Sequence, residues 1–529
     1  MNGLYAMVRR QLRVNRTVLI VMATLITVND IVQVTAYQSV FPDAATRAAT
    51  LASFTSNAAL RALYGYPYDI GNPTGWLSWR SLGFFVMIMA IWGAFITVGA
   101  LRGEEDAGRG ELALSQPQSR SVWFAAALIA VTIETIVIGA VNVAGLAAFC
   151  VTKGLMTLVD CLEVSLELML AALLFAAVGA VAGQLIGTTR GARIAAIGVL
   201  AASFFIRTAA DAGSGIDWLR WVTPLGWLEE MHPPAAPSPV ALLAIAVTAT
   251  LLILMARRML AVRDIGLGLL PQSDSRAPRR FLLGAPWQAA LRDDLPQLTV
   301  WLVGSLVYTL LLGSLTKTLL DLVKSNSAFS SLFTHSFDLN ASIAASFSIV
   351  QVIVTLLGVT MIVGARGEEA SGRLELLLAQ PLSRIGWLVS RATLGAGVAL
   401  VLAMISAVAL WLGAAVVGQH LAFGSVVAAG LNCIPLIVLS TGTAVVVLAI
   451  APRAVAFIYA PIAIAYLWDA LGTAIKAPSW SLDLSPFHVL AAVPAQKFAL
   501  LPATVLTVIG LVFMAVGVSA FRRRDLVTA

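Results

Sequence analysis

The chain has 529 residues, of which 59% are hydrophobic and only 12% charged, with a formal net charge of +7 and a mean hydropathy of +0.90. An ordinary soluble domain carries about 25% charged residues, so this chain cannot cover a soluble globule of its own size. The same numbers exclude a disordered chain. The expectation is an all-α polytopic membrane protein.

A helical span needs about 20 apolar residues, and the chain offers twelve such stretches. It opens on an amphipathic segment in which Leu4, Val8 and Leu12 form one stripe beside Arg9, Arg10, Arg13 and Arg16, the pattern of an elbow helix lying in the membrane interface. Spans at 17–37 and 80–101 follow, then a charged segment, Arg102 to Trp123, reading RGEEDAGRGELALSQPQSRSVW. Spans at 122–149, 163–186 and 194–211 lead to a Pro-bearing segment, Thr223-Pro224-Leu225-Gly226-Trp227. The span at 239–256 then ends in Arg257, Arg258, Arg263 and Asp264.

The second half repeats this order. Trp287, Leu291 and Leu295 continue an amphipathic stripe after Pro286, a favoured first-turn residue. Spans at 297–320 and 344–365 precede Arg366 to Trp387, RGEEASGRLELLLAQPLSRIGW, which matches the first charged segment at 14 of 22 positions with an offset of 264. Spans at 386–417, 424–450 and 454–475, the segment Ser485-Pro486-Phe487-His488 and a span at 500–520 complete the half. It closes on Arg522, Arg523, Arg524 and Asp525. Such a repeat marks a duplicated unit: a six-span half at 1–256, a cytoplasmic linker at 257–283 and a second six-span half at 284–529.

Placing both termini, the linker and both charged segments on one side gives that side 24 of the 34 Lys and Arg. By the positive-inside rule that side is the cytoplasm. The first apolar stretch is long and lacks a small-residue cleavage pattern, so it reads as a span and not as a signal peptide. Cys150 and Cys161 flank a short outer loop and could be bridged; two unpaired apolar thiols are the expected state. His232, His335, His420 and His488 fall in outer loops without metal-ligand spacing, so no metal site is expected. Nothing in the chain points to nucleic acid.

In the charged segments Glu105 and Arg109, like Glu369 and Arg373, stand at i and i+4 with the acid first, the favourable order for a helical pair. Glu104 and Glu111, and Glu368 and Glu375, lie seven apart on one face. Pro117 and Pro381 stop the helix. An interfacial anchor would favour Lys and Arg over these acids near anionic lipid, so the repeated acids read as a docking surface for a protein partner. The pattern G-E-E-x-x-G-R-x-E-L-x-L-x-x-Q-P-x-S-R after the second span resembles the coupling-helix region of ABC exporter permeases of the type-2 class. The elbow, the six spans per unit and the Pro-bearing outer segment agree, and the fused form resembles actinobacterial permeases that export polyketide antibiotics and other drugs.

The resemblance implies two copies of a separate ATPase docked on this chain, contacting Glu104, Glu105, Arg109, Glu111, Glu368, Glu369, Arg373 and Glu375, with lesser contacts at the turns 187–193 and 451–453. It also implies efflux of hydrophobic or amphipathic compounds, with ATP and Mg²⁺ on the ATPase and no cofactor in this chain. No Gly-Lys dipeptide occurs in the sequence, so the phosphate-binding G-x-x-x-x-G-K-[ST] loop is absent. The chain is thus expected to be a non-catalytic permease subunit among membrane lipids, handling a lipophilic small molecule.

Two acids fall near the bilayer midplane at 1.5 Å per residue: Asp30, about 18–20 Å into span one, and Glu134, about 18 Å into span three. Charged groups there are costly and mark functional candidates. With Asn29, Gln33 and Asn142 they either line a substrate cavity or satisfy one another within the first half. A proton-coupled secondary drug transporter using Asp30 and Glu134 is the alternative function, since twofold repetition suits that class as well.

Overall fold

The computed structural model describes residues 2–41, 47–48, 51, 55, 61, 64–110, 119–212, 215–231, 233–234, 238–270, 282, 284–325, 338–474 and 477–526. The chain divides into two compact units, Met1–Arg276 and Ala277–Ala529. Among the described residues, eleven helices are long and apolar enough to cross a membrane. The remaining expected span, at 454–475, is split into a 3-10 segment, Pro452–Ile458, and a helix, Tyr459–Ala474.

In the first unit, α1 (Asn2–Val40) carries the amphipathic stretch and the first span as one continuous helix. No Pro or Gly lies between Gly3 and Val40 to separate them. α2 (Pro73–Asp106) runs through two π-helical turns, at Ser78–Leu82 and Gly99–Gly103. α3 (Arg120–Val151), α4 (Leu158–Leu185), α5 (Thr189–Ala212), the short α6 (Pro224–Glu229) and α7 (Pro239–Val262) follow. Side-chain caps start several of them: Ser119 caps α3 and Thr157 forms a capping box with Asp160 on α4, satisfying amides that would otherwise lack partners.

α4 is the axis of this unit. Leu168, Ala172 and Phe175 pack with Met89 and Ala90 of α2, Ile26 of α1 and Ile138 of α3. Lipid tails are as apolar as these side chains, so close packing and not hydrophobicity holds such helices together. A Cβ at Gly93 would lie 2.2 Å from the Ala172 carbonyl oxygen, so α2 and α4 touch backbone to backbone there. α7, by contrast, keeps Val240, Leu243, Leu251 and Leu254 exposed, the surface of a helix facing lipid.

The second unit comprises α8 (Pro286–Ser325), α9 (Leu339–Ala370), α10 (Arg373–Leu378), α11 (Arg384–Val416), α12 (Phe423–Ile450), α13 (Tyr459–Ala474), the short α14 (Pro486–Val489) and α15 (Leu500–Arg523). Val350, Val354 and Leu357 of α9 pack against Leu402, Ala403 and Ala407 of α11. α12 and α15 meet at Gly442 and Gly510, where a Cβ on Gly442 would stand 2.1 Å from the Gly510 carbonyl oxygen. Cys150, Cys161 and Cys433 are buried and unbridged.

Candidate functional site: the repeated charged segments

Each charged segment is two pieces rather than one helix. α2 and α9 continue past the membrane to Asp106 and Ala370 and then stop at a glycine in the left-handed conformation, Gly108 (φ 71°) and Gly372 (φ 73°). The glycine amide bonds back to the carbonyl of the second glutamate, Gly108 N to Glu105 O at 2.9 Å and Gly372 N to Glu369 O at 3.1 Å. A glycine is the residue that ends a helix in this way at little steric cost. The break overturns the i, i+4 pairing expected of Glu105–Arg109 and Glu369–Arg373. In the first unit Arg109 Nε and Nη2 reach Glu104 instead, both at 3.1 Å. In the second, Arg373 Nη2 reaches Asp293 on α8 at 3.0 Å.

The second glutamate of each segment is an internal counter-ion and not a surface contact. Glu105 accepts from Arg102 Nη1 at 2.8 Å, from Arg263 Nη1 at 2.8 Å and from Arg263 Nη2. Side-chain exposure is 0% for Arg102, 1% for Glu105 and 2% for Arg263. Arg263 also donates to Gln184 Oε1 at 2.5 Å, and Arg102 donates to the carbonyls of Gly266 and Leu267. The segment after α7 is thereby folded back under the end of α4, where Leu269 and Leu270 amides bond the carbonyls of Gln184 and Leu185 at 3.1 and 2.9 Å.

The second unit repeats the arrangement. Glu369 accepts from Arg524 Nη1 at 2.5 Å and Nη2 at 2.8 Å, with Arg366 Nη1 at 3.6 Å. Arg120 Nη1 donates to the Arg263 carbonyl and Arg384 Nη1 to the Arg524 carbonyl, each at 2.9 Å. In both units, then, one glutamate ties the end of the second span to the segment after the last, and an arginine at the start of the third span bonds that same segment. Two such ion-paired knots at equivalent places show that each charged segment is anchored at its base to the membrane helices.

The other expected residues separate into two groups. Glu104 is tied to the amphipathic part of α1 through Arg10 Nη1 at 2.9 Å. Glu368 accepts from Trp387 Nε1 at 3.2 Å and from Arg391, and Arg391 also approaches Asp294 at 3.5 Å. Arg109, Arg373 and Glu375 are exposed, as is Leu376, while Leu374 between them is buried. Glu111 lies outside the described residues. Asp106 accepts from Thr189 N at 2.7 Å and Thr189 Oγ1 at 2.6 Å, which joins the first segment to the start of α5. The repeat partner of Asp106 is Ala370, so this link belongs to the first unit.

The expected acids of the membrane interior do not form one patch. Asp30 accepts from Asn142 Nδ2 at 3.1 Å and Asn29 Nδ2 at 3.2 Å, and those amides reach Ser165 and Ser81. Glu134 accepts from Asn15 Nδ2 at 2.9 Å. Eight residues of α3 separate Asn142 from Glu134, about 12 Å along the helix, so these are two sites. Gln33 is half-buried and has no part in either. Asp30, Glu134 and Asn142 are wholly buried inside the unit, with amide partners that lower the cost of burial.

Composition, helix content and the paired anchored segments define a polytopic, all-helical membrane protein built from two like units, the form of a transport permease. The family described as "Multidrug efflux system permease Rv1217c, C-terminal domain" matches residues 48–258 and 283–522, and the chain belongs to that family. It is 29% identical over 502 residues to the multidrug efflux system permease protein Rv1217c of Mycobacterium tuberculosis (strain ATCC 25618 / H37Rv), covering 93% of this chain and 90% of the relative.

Proposed function

We propose that this chain is the transmembrane subunit of an ATP-driven efflux pump for amphipathic compounds, with two copies of a separate ATPase docked on the charged segments from the cytoplasm of a bacterial plasma membrane. The observation that carries the reading is the knot beneath each segment. An exposed surface (Arg109 in the first unit; Arg373, Glu375 and Leu376 in the second) sits on a base fixed by Glu105–Arg263 or Glu369–Arg524 to the last span of its own unit. A push on such a surface moves membrane helices instead of bending a loop. The Rv1217c relative is called a multidrug efflux permease, which supports drugs as cargo. A proton carrier has no use for two anchored docking surfaces, and its two acids, Asp30 on α1 and Glu134 on α3, sit in separate sites, each held by amides.

The test is purification of the tagged chain in mild detergent from its native membrane. An ATPase subunit is expected to accompany it and to be lost on Glu375→Lys, with the chain's own thermal stability unchanged because that side chain is exposed. If no ATPase is recovered even after crosslinking, the reading is wrong.

A further inference from the structure

A second charged assembly lies at the other end of the first unit. On α4, Glu167 stands 17 residues before Gln184, about 25 Å from the Glu105 knot at 1.5 Å per residue. It is 5% exposed and lines a cleft of about 50 Å³ with Tyr64, Tyr66, Trp79, Arg207 and Glu229. No hydrogen-bond donor or cation among the described residues pairs with its carboxylate. A buried carboxylate without a partner is costly. The position 264 residues on is Leu431, which lines a cleft with Val493, Phe498 and Leu500.

The surroundings hold more acidic groups than basic ones. Glu229 Oε1 accepts from the Tyr66 amide at 2.7 Å, while Oε2 has no hydrogen bond and lies 3.9 Å from Arg207 Nη1. Arg207 is drawn also toward Asp211, at 3.6 Å, and Arg220 is held by Asp211 at 2.6 Å and Glu230 at 3.7 Å. Four carboxylates, Glu167, Asp211, Glu229 and Glu230, thus face two arginines. Tyr64 and Trp79 add aromatic walls, their ring centroids 5.0 Å apart, and such faces attract cations. The cleft has room for about three or four waters, enough for a compact cationic head and not for a whole drug-sized molecule.

We propose that this cleft binds the primary ammonium head of an amphiphile, with Glu167 as its counter-ion, the free Glu229 oxygen as a second acceptor and Tyr64 and Trp79 as walls. The ammonium supplies the three donors that the two carboxylates lack, and the apolar tail remains outside the cleft. That this amphiphile is transported cargo rests on the efflux reading; the binding itself does not.

The experiment uses the purified full chain without ATPase, in phosphatidylcholine nanodiscs, with radiolabelled dodecylammonium as the probe and empty discs as background. Saturable binding is expected, weakened at least tenfold by Glu167→Gln and unchanged by Glu163→Gln, which alters the same helix one turn away. Glu167→Gln keeps the side-chain shape and replaces a buried carboxyl group that has no partner among the described residues, so its melting temperature is expected not to fall. On the wild-type chain, uncharged dodecanol is expected not to compete, which tests the charge requirement without any variant. Competition by added phosphatidylethanolamine would assign the ammonium to a lipid head, and its absence to a free amphiphile; both outcomes require the same site. Binding equal in Glu167→Gln, competition by dodecanol, or no saturable binding would overturn the proposal. None of these results depends on whether an ATPase co-purifies.

Discussion

Replacing Glu105 by Gln tests whether the knot holds the segment after α7. The substitution keeps the shape and removes the one carboxylate among the described residues that contacts both Arg102 and Arg263, two guanidinium groups at 0% and 2% exposure. Asp106 stays 3.5 Å from Arg102 Nε but is itself partly exposed. Removing one partner of a buried pair costs about 3–5 kcal/mol because the other charge is left uncompensated. The lower figure corresponds to roughly a 100-fold rise in the opening equilibrium. Hydrogen exchange read by mass spectrometry reports that opening directly, since the Leu269 and Leu270 amides are bonded to the end of α4. Their exchange is expected to quicken about 100-fold, while amides in the centre of α4 keep their protection. Adding Arg263→Met to Glu105→Gln removes one stranded charge, so the double variant is expected to lose less than the sum of the singles. Unchanged protection across 264–270 in Glu105→Gln would refute the argument.

In the second unit, Glu369→Gln is expected to cost less, about 1–3 kcal/mol, because Arg524 and Arg366 keep 15% and 13% exposure and recover some hydration; comparative thermal unfolding of the two single variants checks the order. Glu229 has its carboxyl pushed from the usual 4.5 up to about 7 by burial, amid Arg207, Arg220, Asp211, Glu230, Glu167, Tyr68 and the Tyr66 amide. The folded chain therefore keeps a proton that the unfolded chain releases near 4.5. This contribution to stability is fully present below pH 4.5 and is lost as the pH rises to about 7. Glu229→Gln is expected to flatten that part of the stability–pH profile, and an unchanged slope between pH 4.5 and 7 would contradict the assignment. Gly510→Val is expected to destabilise the second unit by at least about 1–3 kcal/mol, since even a Cβ there would lie 2.6 Å from the Leu439 nitrogen; a melting temperature equal to wild type would show that α12 and α15 can part without cost.

Much of the architecture was legible from one dimension. Runs of apolar residues set the spans, and the matched segments at 102–123 and 366–387 exposed the duplication, because both are properties of neighbours in sequence. The continuity of α1 was legible in principle from the lack of a breaker after Gly3, yet the charge pattern of its first turns suggested a separate piece. The left-handed glycines were visible as well, but the favourable Glu–Arg spacing around them suggested a continuous helix, and the backbone geometry at Gly108 and Gly372 overrode it.

What the sequence could not decide is which charge meets which. Glu105 and Glu369 resembled their exposed neighbours until folding brought Arg263 and Arg524 to them from 158 and 155 residues away; the Arg-Asp pairs at 263–264 and 524–525 were the faint sign. Asp30 and Glu134 drew attention by depth, but apart from the adjacent Asn29 their amide partners come from other helices. Glu167 passed unnoticed because depth in a span says nothing of whether a partner waits opposite. Hydropathy reports whether a segment prefers lipid or water. Ion pairing depends on distances of a few ångströms between segments far apart in the chain, and those distances exist only once the helices have packed.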